Sequence, residues 1–444
     1  MLMQKTHYKE SLVFFSCGTL IFYFFPNFFS LIEPDSLQYI YNNSNRKSLY
    51  PLFIDIFGFE QNENYFWVIF LQHFILNLSI VYLLSTFHNL NLCIFVKILF
   101  FIFVFLNIYY ISFPATILTE SLFFSLINFS TGLFIKIIYE NNKNFITLGL
   151  LLGLILSIKS IGIILSISFV FFFIYLKKPN KNKFIFLIIG LLVFPTVEKF
   201  HHSKYSVGTK GDSVIYQSFL GKIFMISGHS NFDKSILIDN EKDLINNFSE
   251  KSSTVNKFLD GIRNPYLFFD LHADYEVIGQ YQILEIDNKN RNEIKDLFIK
   301  ISKEYPIQFL KLSLNHYFGL WLPGGKQIFL NDYISKNPHI DLPLKKELNY
   351  ASGFTLNISK FLLILNLIFF NFLFIFFILV SINSLISFFK RKIDLIDALV
   401  IIIQIYLMVV SLTNISTPRY FMPIYPLTLL VVFTRIRKYF KILK

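Results

Sequence analysis

Six ionisable residues stand near where long apolar runs begin, end or turn, and their side chains could do chemistry. Asp35 follows the first apolar run in Glu33-Pro34-Asp35-Ser36. A carboxylate held partly out of water at the mouth of a helix bundle is disfavoured in its charged form, which suits a general base. The plainer reading is that Asp35 only ends a helix. Arg46 and Lys47 follow one loop later and could hold a phosphate by charge-assisted hydrogen bonds, or simply be solvated. Glu120, in Leu118-Thr119-Glu120-Ser121, lies near the start of another apolar run. Ionisable groups inside spans are costly and often functional, although the helix dipole also favours a carboxylate in a first turn. Lys159 falls between two short apolar runs, where a buried cation without an evident partner invites an anion and a snorkelling lysine would need none. Arg419 opens the last run in Pro418-Arg419-Tyr420, either to meet an anion or to anchor at the interface.

These side chains must be positioned by membrane helices. The chain has 444 residues, 54% hydrophobic and only 16% charged, with a mean hydropathy of +0.53, where a soluble domain is about a quarter charged. That excludes an ordinary soluble enzyme. The 57 phenylalanines fall in blocks such as Phe171-Phe172-Phe173, so the apolar content is clustered, as in membrane spans. Cys17 and Cys93 both lie in apolar runs and form no CxxC pair, which argues against a disulfide framework, structural zinc or redox chemistry. No P-loop signature, HExxH motif or GxSxG elbow occurs.

The net charge of +12 belongs to the membrane part. Residues 199–350 hold 19 Lys+Arg and 18 Asp+Glu, against 22 and 11 in the rest. The excess sits in short loops, Lys177, Lys178, Lys181 and Lys183, then Lys390, Arg391 and Lys392, and in the tail from Arg435. This is positive-inside bias, so nucleic acid is not expected as a partner. Runs of about 20 apolar residues lie near 11–32, 65–85, 92–111, 115–136, 184–198, 355–386, 394–412 and 420–435. Residues 145–176 read as two short spans turning at Lys159-Ser160, with Gly149, Gly153 and Gly162 allowing close packing. The first run lacks a small-residue cleavage site and reads as a span, not a cleaved signal. Pro114 suits the start of the fourth span, and Trp67 and Tyr109-Tyr110 suit the membrane interface.

The expected fold is therefore an all-α polytopic membrane protein of about ten transmembrane helices with one large extracytoplasmic domain, mixed but mainly helical. An N-terminal bundle covers 1–198, with an outer loop at 33–64. The outer domain covers 199–352, and C-terminal helices with a basic cytoplasmic tail cover 353–444. Both termini face the cytoplasm. Asp35, Arg46, Glu120, Lys159 and Arg419 then meet at the extracytoplasmic face although they come from five separate segments. Within the outer domain, Ile294, Leu297, Phe298 and Ile301 follow helical spacing up to Pro306. The stretch Ile307 to Leu320, closed by Trp321, reads as an interfacial helix lying on the membrane.

Four short elements carry a family resemblance: Pro34-Asp35-Ser36 with Tyr39; Leu49-Tyr50-Pro51-Leu52-Phe53; Leu118-Thr119-Glu120-Ser121-Leu122-Phe123; and Arg419-Tyr420 with Pro423 and Tyr425-Pro426. In this order they resemble the GT-C superfamily, more narrowly the bacterial branch related to protein O-mannosyltransferases and lipid A aminoarabinose transferases. Gly149, Gly153 and Lys159-Ser160 are similar to that family's short glycine-bearing helix followed by a basic residue. Residues 304–321 resemble its helix entering the last bundle. Two departures stand out: Ser48 precedes Leu49-Tyr50-Pro51 where relatives often have proline, and no second acid lies directly beside Asp35.

The resemblance implies an inverting glycosyltransferase in a bacterial cytoplasmic (inner) membrane. It would move a sugar from a polyprenyl-phosphate donor to an extracytoplasmic acceptor, whether lipid A, a glycan or a protein. Asp35 would match the catalytic base and Glu120 the second acidic position. Arg46, Lys47, Lys159 and Arg419 would be candidates for the donor phosphate. Tyr39, Tyr50 and Tyr420 would be candidates for the substrate site, as would His201 and His202 ahead of a strand-like stretch from Tyr205 to Tyr216. No metal ligand is assigned. A divalent cation stays open as a cofactor, although Asp35 with a distant Glu120 is a thin oxygen cage that argues against metal dependence. The lack of a nucleotide motif fits a lipid-linked donor. The alternatives are an envelope polysaccharide polymerase or ligase, against which the scarcity of outer-domain arginines weighs, and a multi-span transporter or flippase.

Overall fold

The computed structural model describes residues 2–24, 36–42, 46–58, 65–107, 110–111, 113–140, 144–206, 219–223, 226–227, 232–251, 290–321, 353–413 and 420–440. These are mainly helical and contain no strand. They fall into two compact units, one formed by 1–208, 333–406 and 422–444, the other by 209–332 and 407–421. Among the described residues, five helices are long and apolar enough to cross a membrane, and three shorter helices are apolar but have 13 to 16 residues.

The first unit contains α1 (Leu2–Phe24), α2 (Ser36–Ile40), α3 (Leu49–Phe57), α4 (Phe66–Ser85), α5 (Ile94–Leu106), α6 (Glu120–Glu140), α7 (Phe145–Ile158), α8 (Gly162–Lys177) and α9 (Lys181–Tyr205). Apolar faces of its long helices point outward: Phe186, Leu192 and Val197 on α9 are exposed. A soluble monomer rarely shows patches of this kind, and lipid is their natural solvent.

Inside the unit, polar side chains join the helices. Asn77 of α4 donates to the Phe15 carbonyl at 2.9 Å and to Thr19 Oγ1 at 3.0 Å, holding α1 against α4. Lys97 of α5 pairs with Glu10 of α1 at 2.7 Å. Asn128 of α6 donates to Ser79 of α4 at 3.1 Å and to the Tyr110 hydroxyl at 3.0 Å. Interhelical bonds of this type each contribute about 1 kcal/mol in a membrane.

The expected turn at Lys159-Ser160 is present, between α7 and α8. The glycines do what close packing requires. A Cβ on Gly153 would lie 2.6 Å from the Leu191 carbonyl of α9, and one on Gly149 would strike the Leu187 carbonyl. The backbones of α7 and α9 therefore approach closely only because those side chains are missing.

Three local expectations need correction. Pro114 does not begin the fourth span: it sits in a 3₁₀ turn, Phe113–Ala115, and the helix starts at Glu120. The reason is Gln72, whose side-chain amide takes the carbonyls of Pro114 and Thr116 at 2.9 and 3.0 Å, away from helical partners. The third apolar run is not one helix: α5 ends at Leu106, and Asn107 Oδ1 accepts the Tyr110 N–H at 3.2 Å at the start of a further helical turn that holds Tyr110 and Ile111. Tyr110 is no interfacial anchor. Its ring is fully buried and stacks on Phe124 with centroids 5.2 Å apart, whereas Trp67 is 51% exposed.

The unit also includes α13 (Gly353–Phe389), the first part of α14 (Leu395–Thr413), and α15 (Tyr425–Phe440). Lys177 Nζ reaches the Ile138 carbonyl at 3.1 Å near the end of α6. Arg435 of α15 binds Asp394 at 2.8 Å and also Asp397 and, through it, Ser384. At about 1.5 Å per residue, α6 separates this basic end from Glu120 by about 30 Å.

The second unit has its own apolar core. It contains α10 (Asp239–Lys251), α11 (Asn290–Glu304) and α12 (Pro306–Trp321). Ile294, Leu297 and Ile301 on α11 are buried with Leu220, Ile223, Ile245 and Leu312, and Phe298 packs at the edge, as the helical spacing implied. On α12 the other face carries Ile307, Leu310, Leu314 and Phe318, all exposed. Their spacing makes one apolar stripe, which suits a helix lying at a membrane surface. The strand-like stretch is not a strand where it is described, since Tyr205 is the last residue of α9; 207–216 lie outside the described residues.

Candidate active site

Glu120 and Lys159 form the centre of one end of the first unit. Glu120 is the first residue of α6, and Lys159 is the residue at which α7 stops and the chain turns into α8. Lys159 Nζ lies 2.8 Å from Glu120 Oε1, with the carboxylate side chain 3% and the ammonium side chain 16% exposed. Thr119 Oγ1 donates to the other carboxylate oxygen at 3.3 Å, and the ammonium sits 5.8 Å from the Phe123 ring centre. The expectation that Lys159 lacks a partner is thus overturned: Glu120 is that partner, because the α7–α8 turn and the α6 start share one end. Glu120 keeps the first-turn position that the helix dipole favours.

A second layer ties the first loop to this pair. The Tyr50 hydroxyl of α3 donates to Gln72 Oε1 at 2.8 Å, and Gln72 in turn holds the carbonyls of Pro114 and Thr116 just before Glu120. Ser121 Oγ donates to the Gln72 carbonyl at 3.3 Å. Tyr50 is fully buried. Burial first, then neighbouring Tyr39 and the Glu120 carboxylate, push its phenol well above the ordinary value of 10.0. Tyr39 meets Tyr50 edge to face at 5.2 Å. The Arg46 guanidinium lies 5.3 Å over Tyr39, and its Nε donates to Gln38 Oε1 at 2.6 Å.

The third element is Glu198 near the end of α9. Lys47 pairs with it at 3.6 Å. The Ser48 N–H donates to Glu198 Oε1 at 3.4 Å, and Ser48 Oγ donates to the Glu198 carbonyl at 3.2 Å. Earlier in the same loop, Asn42 Nδ2 donates to the Tyr205 carbonyl at 3.3 Å. The His201 ring lies tilted against Tyr205 with centroids 4.8 Å apart, and His202 is its chain neighbour on the same last turns of α9. The first loop is therefore fastened to two helices, to α4 through Tyr50 and to α9 through Ser48.

Five parts of the chain thus come together here: the first loop (38–42 and 46–50), Gln72, 114–121, Lys159 and 198–205. Arg46, Lys47, Glu120, Lys159, Tyr39, Tyr50, His201 and His202 are all in them. Asp35 and Arg419 lie outside the described residues, and Tyr420 belongs to the second unit. Gln72 and Glu198 were missed in the sequence. Their signal was a lone polar or acidic residue in an apolar span, which is costly unless it is bonded. Among the described residues no three His, Cys, Asp or Glu side chains gather as a metal would need.

Chemically, the arrangement supplies a buried, charge-matched carboxylate and ammonium beside a tyrosine-lined loop that carries two further cations. No family model matches the chain, and no curated protein or solved structure matches it either.

Proposed function

We propose that the chain is an inverting glycosyltransferase of the GT-C type, moving a sugar from polyprenyl phosphate to an acceptor outside the cytoplasm of a bacterial cell. In this reading about ten spans cross the cytoplasmic membrane, both termini are cytoplasmic, and the Glu120–Lys159 end faces out. The observation that carries it is the fastening of the loop bearing Arg46, Lys47 and Tyr50 over Glu120 and Lys159, a convergence that solvated interfacial anchors would not need.

In the proposed reaction, Asp35 takes the proton of the acceptor hydroxyl as its oxygen attacks the anomeric carbon. The bond from that carbon to the phosphate oxygen breaks with inversion, and the departing polyprenyl phosphate keeps the electron pair. Cations that meet this growing charge lower the barrier more than those that bind donor and transition state equally. Lys47, whose ion pair with Glu198 is 3.6 Å long, and Lys159 are the groups that could exchange a carboxylate partner for the phosphate; Arg46 and Arg419 complete the set. Glu120 would then hold Lys159 in place between turnovers. The test is release of free polyprenyl phosphate from a polyprenyl-phosphate sugar by the purified protein in lipid nanodiscs. No release with any such donor would remove the reading.

A carrier is the second reading, favoured by the buried polar groups Asn77, Ser79 and Asn128 midway along α4 and α6. Carriers bind substrate near the bilayer midplane. Here the Asn77 and Asn128 amides already donate to α1, Ser79 and Tyr110, which favours a structural role.

A further inference from the structure

The opposite end of the first unit holds a cavity that the transferase reading does not use. It encloses about 370 Å³, within the range of small-ligand sites, and its walls include Asn91, Tyr139, Asp394, Arg435, Arg437 and Lys438. Tyr139 lies near the C-terminus of α6, nineteen residues from Glu120, so about 28 Å of helix separates the cavity from the candidate active site.

The charges in this cavity are not matched. Arg435, only 3% exposed, binds both Asp394 and Asp397 through one terminal nitrogen. Asp397 also accepts from Ser384 Oγ at 2.7 Å. Both carboxylates are therefore taken. The buried Arg435 Nε has no hydrogen-bond partner. Among the described residues Arg437 and Lys438 have no carboxylate partner. Three cations and one carboxylate, Asp394, line the cavity, and a buried guanidinium donor without a partner is costly. An anion with several acceptor oxygens would answer both conditions.

We infer that this cavity is a binding site for a phosphate group, held by Arg437 and Lys438 against the Arg435 guanidinium. The group comes either from an anionic lipid whose headgroup lies at that membrane surface or from soluble phosphate. Arginine suits phosphate because its fork of N–H donors matches two phosphate oxygens. A lipid source fits the position at a helix-bundle end, where juxtamembrane bases attract anionic headgroups. The inference involves neither Asp35 nor Glu120 and stands or falls apart from the transferase reading.

The experiment uses the full chain with two probes. Delipidated protein is titrated with inorganic phosphate by calorimetry. Protein taken from nanodiscs of mixed phosphatidylglycerol and phosphatidylcholine is weighed by native mass spectrometry for retained lipid. Each is repeated with the double variant Arg437→Gln/Lys438→Gln and with Lys178→Gln/Lys181→Gln, which removes two bases from another loop of the same basic end. Size-exclusion behaviour confirms that each variant is folded. Selective retention of phosphatidylglycerol identifies a lipid headgroup, and saturable phosphate binding without it identifies a soluble phosphate. In either case the Arg437/Lys438 variant binds about tenfold more weakly and the control is unchanged. Absence of both signals, or equal losses in the two variants, overturns the inference.

Discussion

Lys159 and Glu120, thirty-nine residues apart in the chain, meet at 2.8 Å where one helix starts and two others turn. The pair fixes the end of the bundle over which the first loop is fastened. Removing one member leaves the other charge unmatched, whereas removing both charges leaves no unmatched ion. Glu120→Gln should therefore lower stability by about 3 kcal/mol, and Glu120→Gln/Lys159→Met should recover most of that loss. Thermal unfolding of the purified variants in one detergent reads the difference. Additive losses in the double variant would mean that the two side chains do not act as a pair.

Tyr50 offers a test of the loop fastening. Tyr50→Phe keeps the packing against Tyr39 but leaves Gln72 Oε1 without its donor, which should cost about 1–3 kcal/mol and loosen α3. Protease cutting within 43–64 should then accelerate in the variant and not in wild type.

The same phenol predicts a pH dependence. Its folded-state value is raised above 10.0 by burial, Tyr39 and Glu120, so the unfolded chain loses this proton first. The contribution of Tyr50 is complete below about pH 10 and is lost as pH rises through the folded value. Tyr50→Phe should make the alkaline decline in melting temperature shallower than in wild type. A variant with an identical alkaline slope would show that Tyr50 does not titrate across that range.

Lys222 in the second unit works in the other direction. It is 2% exposed, donates to the Ser411 carbonyl at 2.7 Å, and is lowered by burial from 10.5 to about 7. Between about pH 7 and 10.5 the unfolded chain carries a proton that the folded chain has released, so stability rises with pH across that window. Lys222→Met should flatten the rise and raise the melting temperature at pH 7. An unchanged slope would place the rise elsewhere.

Helix packing gives a prediction free of charge. Gly153→Leu pushes a side chain into the Leu191 carbonyl of α9 and should lower stability by about 1–3 kcal/mol or prevent membrane insertion. Membrane yield and melting temperature of Gly153→Leu provide the check.

What could be read from residue order alone differs by the kind of signal. The Lys159-Ser160 turn, the packing role of Gly149 and Gly153, and the buried row Ile294, Leu297 and Ile301 were legible because spacing and residue size act locally. The start of α6 was not. Pro114 is a good helix opener by its own chemistry, but Gln72, forty-two residues earlier, claims the carbonyls that a helix would need. Tyr110 failed for a similar reason, because its hydroxyl finds Asn128 inside the bundle and so does not seek the interface. In the candidate site, Glu120 and Lys159 were visible as charges in apolar runs, but their pairing depended on which helix ends meet. Gln72 and Glu198 became informative only when Tyr50 and Ser48 were found against them.

The central claim is transfer from a polyprenyl-phosphate sugar with Asp35 as base, and comparison of wild type with Asp35→Asn tests it most directly. Both proteins are placed in nanodiscs with a radiolabelled polyprenyl-phosphate sugar and an envelope extract as acceptor, and their melting temperatures are recorded in the same preparation. The account predicts that wild type transfers label with inversion at the anomeric carbon, while Asp35→Asn melts normally and transfers at least about a hundredfold more slowly. Equal transfer by the two proteins would contradict the account.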